Sequence, residues 1–270
     1  MGDSREDIGI IVVTHKQSKM PKDSMYIPLQ VGIKNTSNLG YQRDDKGENI
    51  SELNCYLGTQ TGLYWAWKNL DYKYIGLVHY RRFFTNQKIF RKKKEICFYA
   101  ITYDQISHLL GQYAIFVPRK RRYYIETIES HYNHVHGYGQ IDILRNVVKE
   151  KSPEYVPALE RVLSRKWAYM FNMFIMEKDL LDNYCTWLFM ILFELIDRID
   201  VSEMSDFDKR FGGRLSERLF NVWLEYCIQN NDITRKDIKE LPYIEDVNWK
   251  YKIVGFLKAK FLKMPYTRSS

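Results

Sequence analysis

The chain has 270 residues, 45% of them hydrophobic and 27% charged, with a formal net charge of +8. That composition excludes a disordered or fibrous polypeptide and suits one α/β domain, alone or with a helical appendage. The positive balance favours an anionic partner: nucleotide, nucleic acid or acidic membrane.

Taken in chain order, Ile8 to Val13 is a continuous apolar, β-branched run that predicts a central parallel strand, ending in Thr14, His15 and Lys16. Residues 25–31 are a weaker strand candidate, and 40–49 a polar loop. Ser51 can cap a helix that carries Leu53, Leu57, Leu63, Trp67 and Leu70 along roughly one face. Ile75, Leu77 and Val78 predict the next buried strand, which breaks into His79, Tyr80, Arg81 and Arg82. The first half thus reads strand, loop, helix, strand, the opening of a doubly wound sheet. A short helix over 103–113 precedes a strand over 114–118, which ends in Arg119, Lys120, Arg121 and Arg122. Helices are expected over 141–149 and 154–163, a strand over 171–176, and further helices over 180–199 and 214–228. The expected organisation is one domain over 1–248 and a basic amphipathic tail over 249–270. The tail alternates Trp249, Ile253, Val254, Phe256, Leu257, Phe261 and Leu262 with five lysines. That pattern suits an interfacial helix on anionic lipid or a docked terminal helix with solvated lysines.

Ligands of open α/β sheets sit outside the carboxyl ends of the strands. Cations at three such ends therefore predict a site for phosphate, which arginine matches with bidentate donors; a surface basic cluster is the alternative. The segment holding Glu129, His131, His134 and His136, with Asp142 nearby, could ligate a metal or form a polar loop, and it lacks the HExxH spacing. Asp44 and Asp45 lie between Arg43 and Lys46 in a loop, not at a strand end where a metal-bound diphosphate wants its acids. Walker A, GxGxxG and GxSxG motifs are missing, which removes the main support for ATPase, Rossmann oxidoreductase and α/β-hydrolase readings. Four cysteines, at 55, 97, 185 and 227, form no CxxC pair and fit reduced thiols in a cytosolic protein. The polar first residues lack a signal-peptide apolar core, and no apolar run approaches the ~20 residues of a membrane span, so a soluble or peripheral protein is expected. Nucleic acid is disfavoured because the basic residues gather at strand ends and in the tail rather than along one helix.

Four ordered fragments carry a resemblance: IVVTHK at 11–16, RDDKGENIS at 43–51, YWAWKN at 64–69 and GLVHYRRFF at 76–84. With FNMFIM at 171–176 and LSERLFNVW at 215–223, the chain resembles the bacterial capsular and exopolysaccharide glycosyltransferase family catalogued as DUF4422 over about residues 8–230. The resemblance implies a GT-A-like fold: a mostly parallel central sheet flanked by helices, with a helical C-terminal part. It also implies transfer of a hexose, often a form of galactose, from a UDP-sugar to a lipid-linked saccharide in capsule, exopolysaccharide or O-antigen synthesis. Better-known GT-A enzymes carry Asp-x-Asp after the strand that here ends at Val78, whereas this chain has His79-Tyr80-Arg81; a divalent metal cofactor is therefore not expected. By the same resemblance, Thr14, His15 and Lys16 would lie beside the base and ribose. Asp44, Gly47 and Asn49 would close over the nucleoside, and Lys68, His79, Arg81 and Arg82 would reach the phosphates. The general base is expected to be Asp142 or Glu217, with Asp142 preferred because it follows a glycine-rich loop. Glu217 could instead pair with Arg218 or Arg214, and Asp142 could be a helix-terminal charge. The expected partners are the UDP-sugar, the lipid-linked acceptor and the anionic inner membrane surface, with no nucleic acid. The expected location is cytoplasmic, peripheral on the inner face of the bacterial membrane. A non-catalytic basic module binding nucleic acid or anionic membrane stays open beside this reading.

Overall fold

The computed structural model describes residues 7–32, 37–87, 95–137 and 139–246. The tail expected over 249–270 lies outside the described residues. The strands are β1 (Ile8–Thr14), β2 (Tyr26–Gln30), β3 (Gln42–Arg43), β4 (Tyr74–His79), β5 (Arg82–Phe84), β6 (Ile115–Pro118), β7 (Arg121–Arg122), β8 (Trp167–Ala168), β9 (Phe174–Glu177), β10 (Ile238–Leu241) and β11 (Tyr243–Glu245). The helices are α1 (Asn54–Leu57), α2 (Gln60–Asn69), α3 (Tyr103–Ile106), α4 (Ile128–His136), α5 (Gln140–Lys151), α6 (Val156–Leu163), α7 (Lys178–Arg198) and α8 (Phe211–Gln229).

Among the described residues one nine-stranded sheet runs in the order β10-β6-β9-β4-β1-β2-β3, with β5 and β11 continuing antiparallel from the end of β4. Along that path only β9 runs against its neighbours. The sheet is covered on both faces, and this explains the unbroken apolar run of β1, whose seven residues are all buried. The two-residue period of the strand divides that run. Ile11 and Val13 join Leu29, Leu77 and the inward faces of α7 and α8, while Ile8, Ile10 and Val12 join Tyr74, Val78, Phe83 and Phe84 on the other face. Gly76 sits where the layers are tightest: a Cβ there would lie 2.8 Å from the Ile175 side chain and 2.9 Å from that of Ile10.

The expected α/β architecture, with its mostly parallel sheet and the long helices α7 and α8 in the C-terminal part, is present. Local boundaries differ for physical reasons. The single helix expected from Ser51 to Leu70 is broken at Gly58 (φ +56°), where the Asn54 amide donates to the Gly58 carbonyl and to Thr61 Oγ1, leaving α1 and α2. The strand expected from 171 starts at Phe174, because Phe171 and Asn172 take φ of +79° and +50° in a turn. Residues 103–113 form only the short α3 and a 3-10 turn. The histidine segment is the helix α4, not a polar loop, and Thr127 caps it by accepting from Ser130 N. Strands β10 and β11 have no counterpart among the elements expected from the sequence.

Candidate active site

At the carboxyl end of β1 the buried Thr14 hydroxyl donates to the Lys16 carbonyl (2.6 Å), a tight turn that throws His15 and Lys16 out of the sheet. Val13 lies beside His79 in the parallel register with β4, so both strands release their polar ends together. The chain turns through His79, Tyr80 and Arg81 into β5, with Tyr80 N donating to the Val13 carbonyl. Tyr80 becomes a hub. Its ring centroid is 5.5 Å from that of His15 and 4.5 Å from that of His79, with Lys16 Nζ at 5.2 Å and the Arg81 guanidinium at 5.3 Å.

The third wall is the start of α8. Its first half is stitched to the turn before β9, where Asn172 donates to the Gly213 carbonyl and accepts from Ser216, and Phe171 N donates to Glu217 Oε1. Because β9 is antiparallel to β4, that turn lies at the carboxyl end of β4. Gly212 lets α8 meet α1 closely: a Cβ would lie 2.6 Å from Leu57 Cδ2 and 3.0 Å from the Tyr56 carbonyl oxygen. This seating brings Arg210, at the N-cap of α8, into electrostatic range of His15. No acidic residue occupies the first turn of that helix.

Among the described residues, Lys16, Arg81 and Arg210 make no ion pair. Arg82 differs: it pairs with Glu245 (3.0 Å) and stacks on Phe171 at 3.9 Å. The cations leave their mark on both histidines. His79 is pushed down to about 3 by burial, then by Arg81, Arg82, His15 and Lys16. His15 is also lowered, by burial, Arg210, Arg81 and Lys16. Near neutral pH both rings are therefore uncharged beside three unneutralised cations. Such an arrangement attracts an anion rather than a cation.

Towards β2 and β3, the carboxyl edge of the sheet carries Thr14, Gln30, Asp44, Gln60 and Thr61, all buried. Asp44 Oδ2 accepts from Thr61 Oγ1 (2.6 Å), while Asp44 Oδ1 and both polar atoms of the Gln60 amide are buried without a protein partner. Burial pushes the Asp44 carboxyl up to about 6. Unpartnered polar atoms in a native interior call for a specific reason, and here they adjoin the end of β1.

The structure thus brings together Thr14, His15, Lys16, His79 and Arg81, with Arg82 and Asp44 bordering them. It does not bring Lys68, Gly47 or Asn49 there. A short link, residues 70–73, joins the last turn of α2 to the first residue of β4, so Lys68 stands at the opposite end of the sheet, packed 3.7 Å over Trp67 and 3.6 Å from Glu48. Gly47 (φ +72°) and its neighbour Glu48 are held against Asn69 at that same remote end. Among the described residues, Asn49 bonds within its own loop, to the Gly47 carbonyl and Ser51 N.

The two candidate bases part company. Asp142 has a 73% exposed side chain on the first turn of α5, pairing with Arg145 in a surface network that includes Glu129 and Glu160. It does not line the cationic cluster. Glu217 does adjoin it: Oε1 accepts from Phe171 N (2.9 Å), and Phe171 carries Arg82 on its ring. Its Oε2 accepts from Arg218 (2.9 Å), the pairing anticipated as the plain structural alternative, and each oxygen retains a second acceptor position. Sequence reasoning missed Arg210, Gln60 and Thr61. The run Arg210-Phe-Gly-Gly could have signalled a closely seated helix start.

A metal-bound diphosphate needs carboxylates at the end of β4, and His79, Tyr80, Arg81 and Arg82 stand there instead; this donor set does not fit a divalent cation. Among the described residues no three His, Cys, Asp or Glu side chains converge as a metal site. His131 and His134 both contact the Glu126 carboxylate, at 3.1 and 2.8 Å. The half-buried His136 is driven down to about 2 by desolvation and by Arg214 and Arg218.

Comparison with known proteins agrees with this architecture. A solved structure described as the apo form of WbbM, a bifunctional glycosyltransferase, superimposes with a TM-score of 0.81 at 27% identity. The match covers 90% of this chain and 46% of WbbM, so the chain spans less than half of that protein. No curated protein matches. The fold is GT-A-like, as expected. Residues 9–230 match the family described as a domain of unknown function, DUF4422. More than four-fifths of the chain falls inside that match, and the chain belongs to the DUF4422 family.

Proposed function

We propose that this chain is a glycosyltransferase that moves a hexose from a UDP-sugar to a lipid-linked saccharide in capsule, exopolysaccharide or O-antigen synthesis. The observation that carries the reading is a set of three cations without an ion pair among the described residues: Lys16 and Arg81, which lie over the Tyr80 ring at the ends of β1 and β4, and Arg210 at the start of α8, which acts on the adjoining His15. A nucleoside diphosphate is the ligand whose charge and size answer that set, and the fold shared with part of WbbM gives the reaction class.

In the proposed reaction the bond between the anomeric carbon and the β-phosphate oxygen breaks, and its electron pair leaves with UDP. Lys16, Arg81 and Arg210 stabilise the charge developing on that diphosphate, a task they perform without a divalent ion. The acceptor hydroxyl forms the new bond to the anomeric carbon, and its proton passes to Glu217. Thr14, Asp44 and Gln60 border the nucleoside, and the unpartnered Asp44 Oδ1 and Gln60 amide answer the polar edges of uracil and ribose. His79 and His15, held neutral, can donate one hydrogen bond without adding charge.

The test is incubation with a panel of UDP-sugars, reading donor hydrolysis, alongside thermal shift with UDP and with a short oligonucleotide. UDP release from one donor and stabilisation by UDP support the enzyme. Stabilisation by the oligonucleotide alone, with no donor consumed, returns the chain to a basic binding module.

A further inference from the structure

A second cationic feature lies at the same end of the sheet and takes no part in the proposed chemistry. The chain leaves β6 through Arg119 and Lys120 into the two-stranded ribbon β7-β8, where Arg121 pairs with Ala168 and Arg122 with Trp167. Arg119, Arg121 and Arg122 are exposed and form no ion pair among the described residues. Beyond β7 the backbone doubles back at Tyr124, with Ile125 N donating to the Tyr123 carbonyl (2.6 Å). Tyr124 takes φ +54°, a region that bulky residues rarely enter. The turn drives two apolar side chains outward: Tyr124 is 79% exposed and Ile125 69%, the highest values among the large exposed hydrophobics. The base of the ribbon is firm, because Trp167 packs with Lys120 Nζ at 4.5 Å and the Arg165 guanidinium at 4.6 Å, while Tyr123 N and Ile128 N bond to the Lys166 and Arg165 carbonyls. The one acid between 119 and 128, Glu126, is occupied by His131 and His134.

We propose that the 119–126 ribbon docks on an anionic lipid bilayer, with Tyr124 and Ile125 entering the headgroup boundary and Arg119, Arg121 and Arg122 held by acidic lipid phosphates. A rigid tip of adjacent exposed apolar residues ringed by unpaired arginines combines apolar insertion with electrostatic attraction, the two contributions on which interfacial anchoring depends. The ribbon lies near the proposed site: Tyr243 is in the field of both Arg82, at the end of β4, and Arg121, at the start of the ribbon. Under the transferase reading, on which only this last consequence rests, a lipid-linked acceptor meets the cleft from the docked side.

The test is sedimentation of the full chain with vesicles of phosphatidylglycerol and phosphatidylcholine against phosphatidylcholine alone, at low and high salt. The wild-type chain should bind the acidic vesicles and release with salt. Arg121→Gln with Arg122→Gln should weaken binding about 25-fold, roughly fivefold per cation. Tyr124→Ser with Ile125→Ser should weaken it about tenfold or more at unchanged melting temperature. Equal binding by both double variants and wild type overturns the proposal, as does capture by an oligonucleotide but not by vesicles. Donor hydrolysis without vesicles should be unchanged in both variants. Vesicle binding without hydrolysis of any donor would leave the docking intact and remove the transferase reading, so the two failures are separable.

Discussion

Replacing Arg81 with Ala isolates the electrostatic argument, because this side chain has nothing structural to lose. Among the described residues its guanidinium makes no hydrogen bond or ion pair, and it lies over the Tyr80 ring, 5.3 Å from the centroid. Removing that contact costs about 0.5–1 kcal/mol, and relief of repulsion from Lys16 and Arg210 offsets part of it. The effect on catalysis is larger. A full charge about 4 Å from a phosphate contributes ~4 kcal/mol at an effective dielectric near 20. Arg81 is partly exposed, and solvent screening reduces this to about 2–3 kcal/mol. The expected loss in kcat/KM is therefore roughly 30- to 150-fold, with the melting temperature almost unmoved. Arg81→Lys should recover part of the loss, since the charge returns without the planar fork. Donor hydrolysis and calorimetric UDP affinity across a salt series are the assays. Arg82→Ala is the control: it removes the Glu245 pair and the Phe171 stack and should lower stability by about 1–3 kcal/mol. A folded Arg81→Ala enzyme with wild-type kcat/KM and wild-type UDP affinity would refute the phosphate role.

Three further outcomes are expected. Glu217→Gln should lower transfer by about 10²- to 10⁴-fold while keeping UDP affinity, whereas Asp142→Asn should fall within a factor of about two of wild type; the reverse order in a transfer assay moves the base to α5. Stability should fall on acidification below about pH 6.5. His79 and His136 are neutral in the native state, at about 3 and about 2, and take up protons on unfolding, a loss of ~1.4 kcal/mol per pH unit for each. Asp44 acts in the opposite sense: raised to about 6, it contributes stability that grows as pH falls from 6 towards its unfolded value of 3.8 and partly offsets the histidines. Thermal melts of wild type and His79→Gln read this directly, and a flat or rising profile from pH 6.5 to 4.5 contradicts it. EDTA should leave transfer unchanged; loss of activity restored by Mn²⁺ shows that a metal, not the arginines, neutralises the leaving group.

Much of this fold is legible because burial on both faces forces long apolar runs. Strand β1, strand β4 and helix α7 announce themselves, and the polar residues closing β1 and β4 are legible in the sequence as a cluster at one end of the sheet. Strands β10 and β11 escape notice because IKEL and YIE are short, and five of their seven positions are polar, aromatic or only partly buried. The misplacing of Lys68 follows from treating reach along a helix as reach towards a site. In a strand-helix-strand unit the helix runs back against the strands, so a residue in its last turn belongs to the far end of the sheet. Gly47 and Asn49 follow the same rule once the loop is seen to run beside α2. Arg210 is harder to read for another reason: the glycine pair after it signals a closely seated helix start, but which residues it meets depends on Gly212 fitting against Leu57 and on Asn172 and Glu217 stitching α8 to the turn before β9, long-range contacts.

The neutral histidines supply one more consequence of a cleft built from cations. His15 is lowered by burial and by Arg210, Arg81 and Lys16, the same side chains proposed to grip the diphosphate. An anion that satisfies those cations removes their repulsion of an imidazolium, so its binding should raise the His15 pKa towards the ordinary 6.5, leaving the burial contribution in place. Ligand and proton then favour each other by linkage, and the donor should bind more tightly as pH falls from about 8 to about 6, with net proton uptake. The UDP-sugar is the right probe, since its diphosphate diester has no ionisation of its own near neutral pH, whereas free UDP does. Calorimetry in buffers of different ionisation enthalpy counts the protons. Uptake that disappears in His15→Gln assigns the coupling to this ring. Proton release, or donor affinity that does not change with pH in the wild-type chain, would mean that the diphosphate does not sit among Lys16, Arg81 and Arg210.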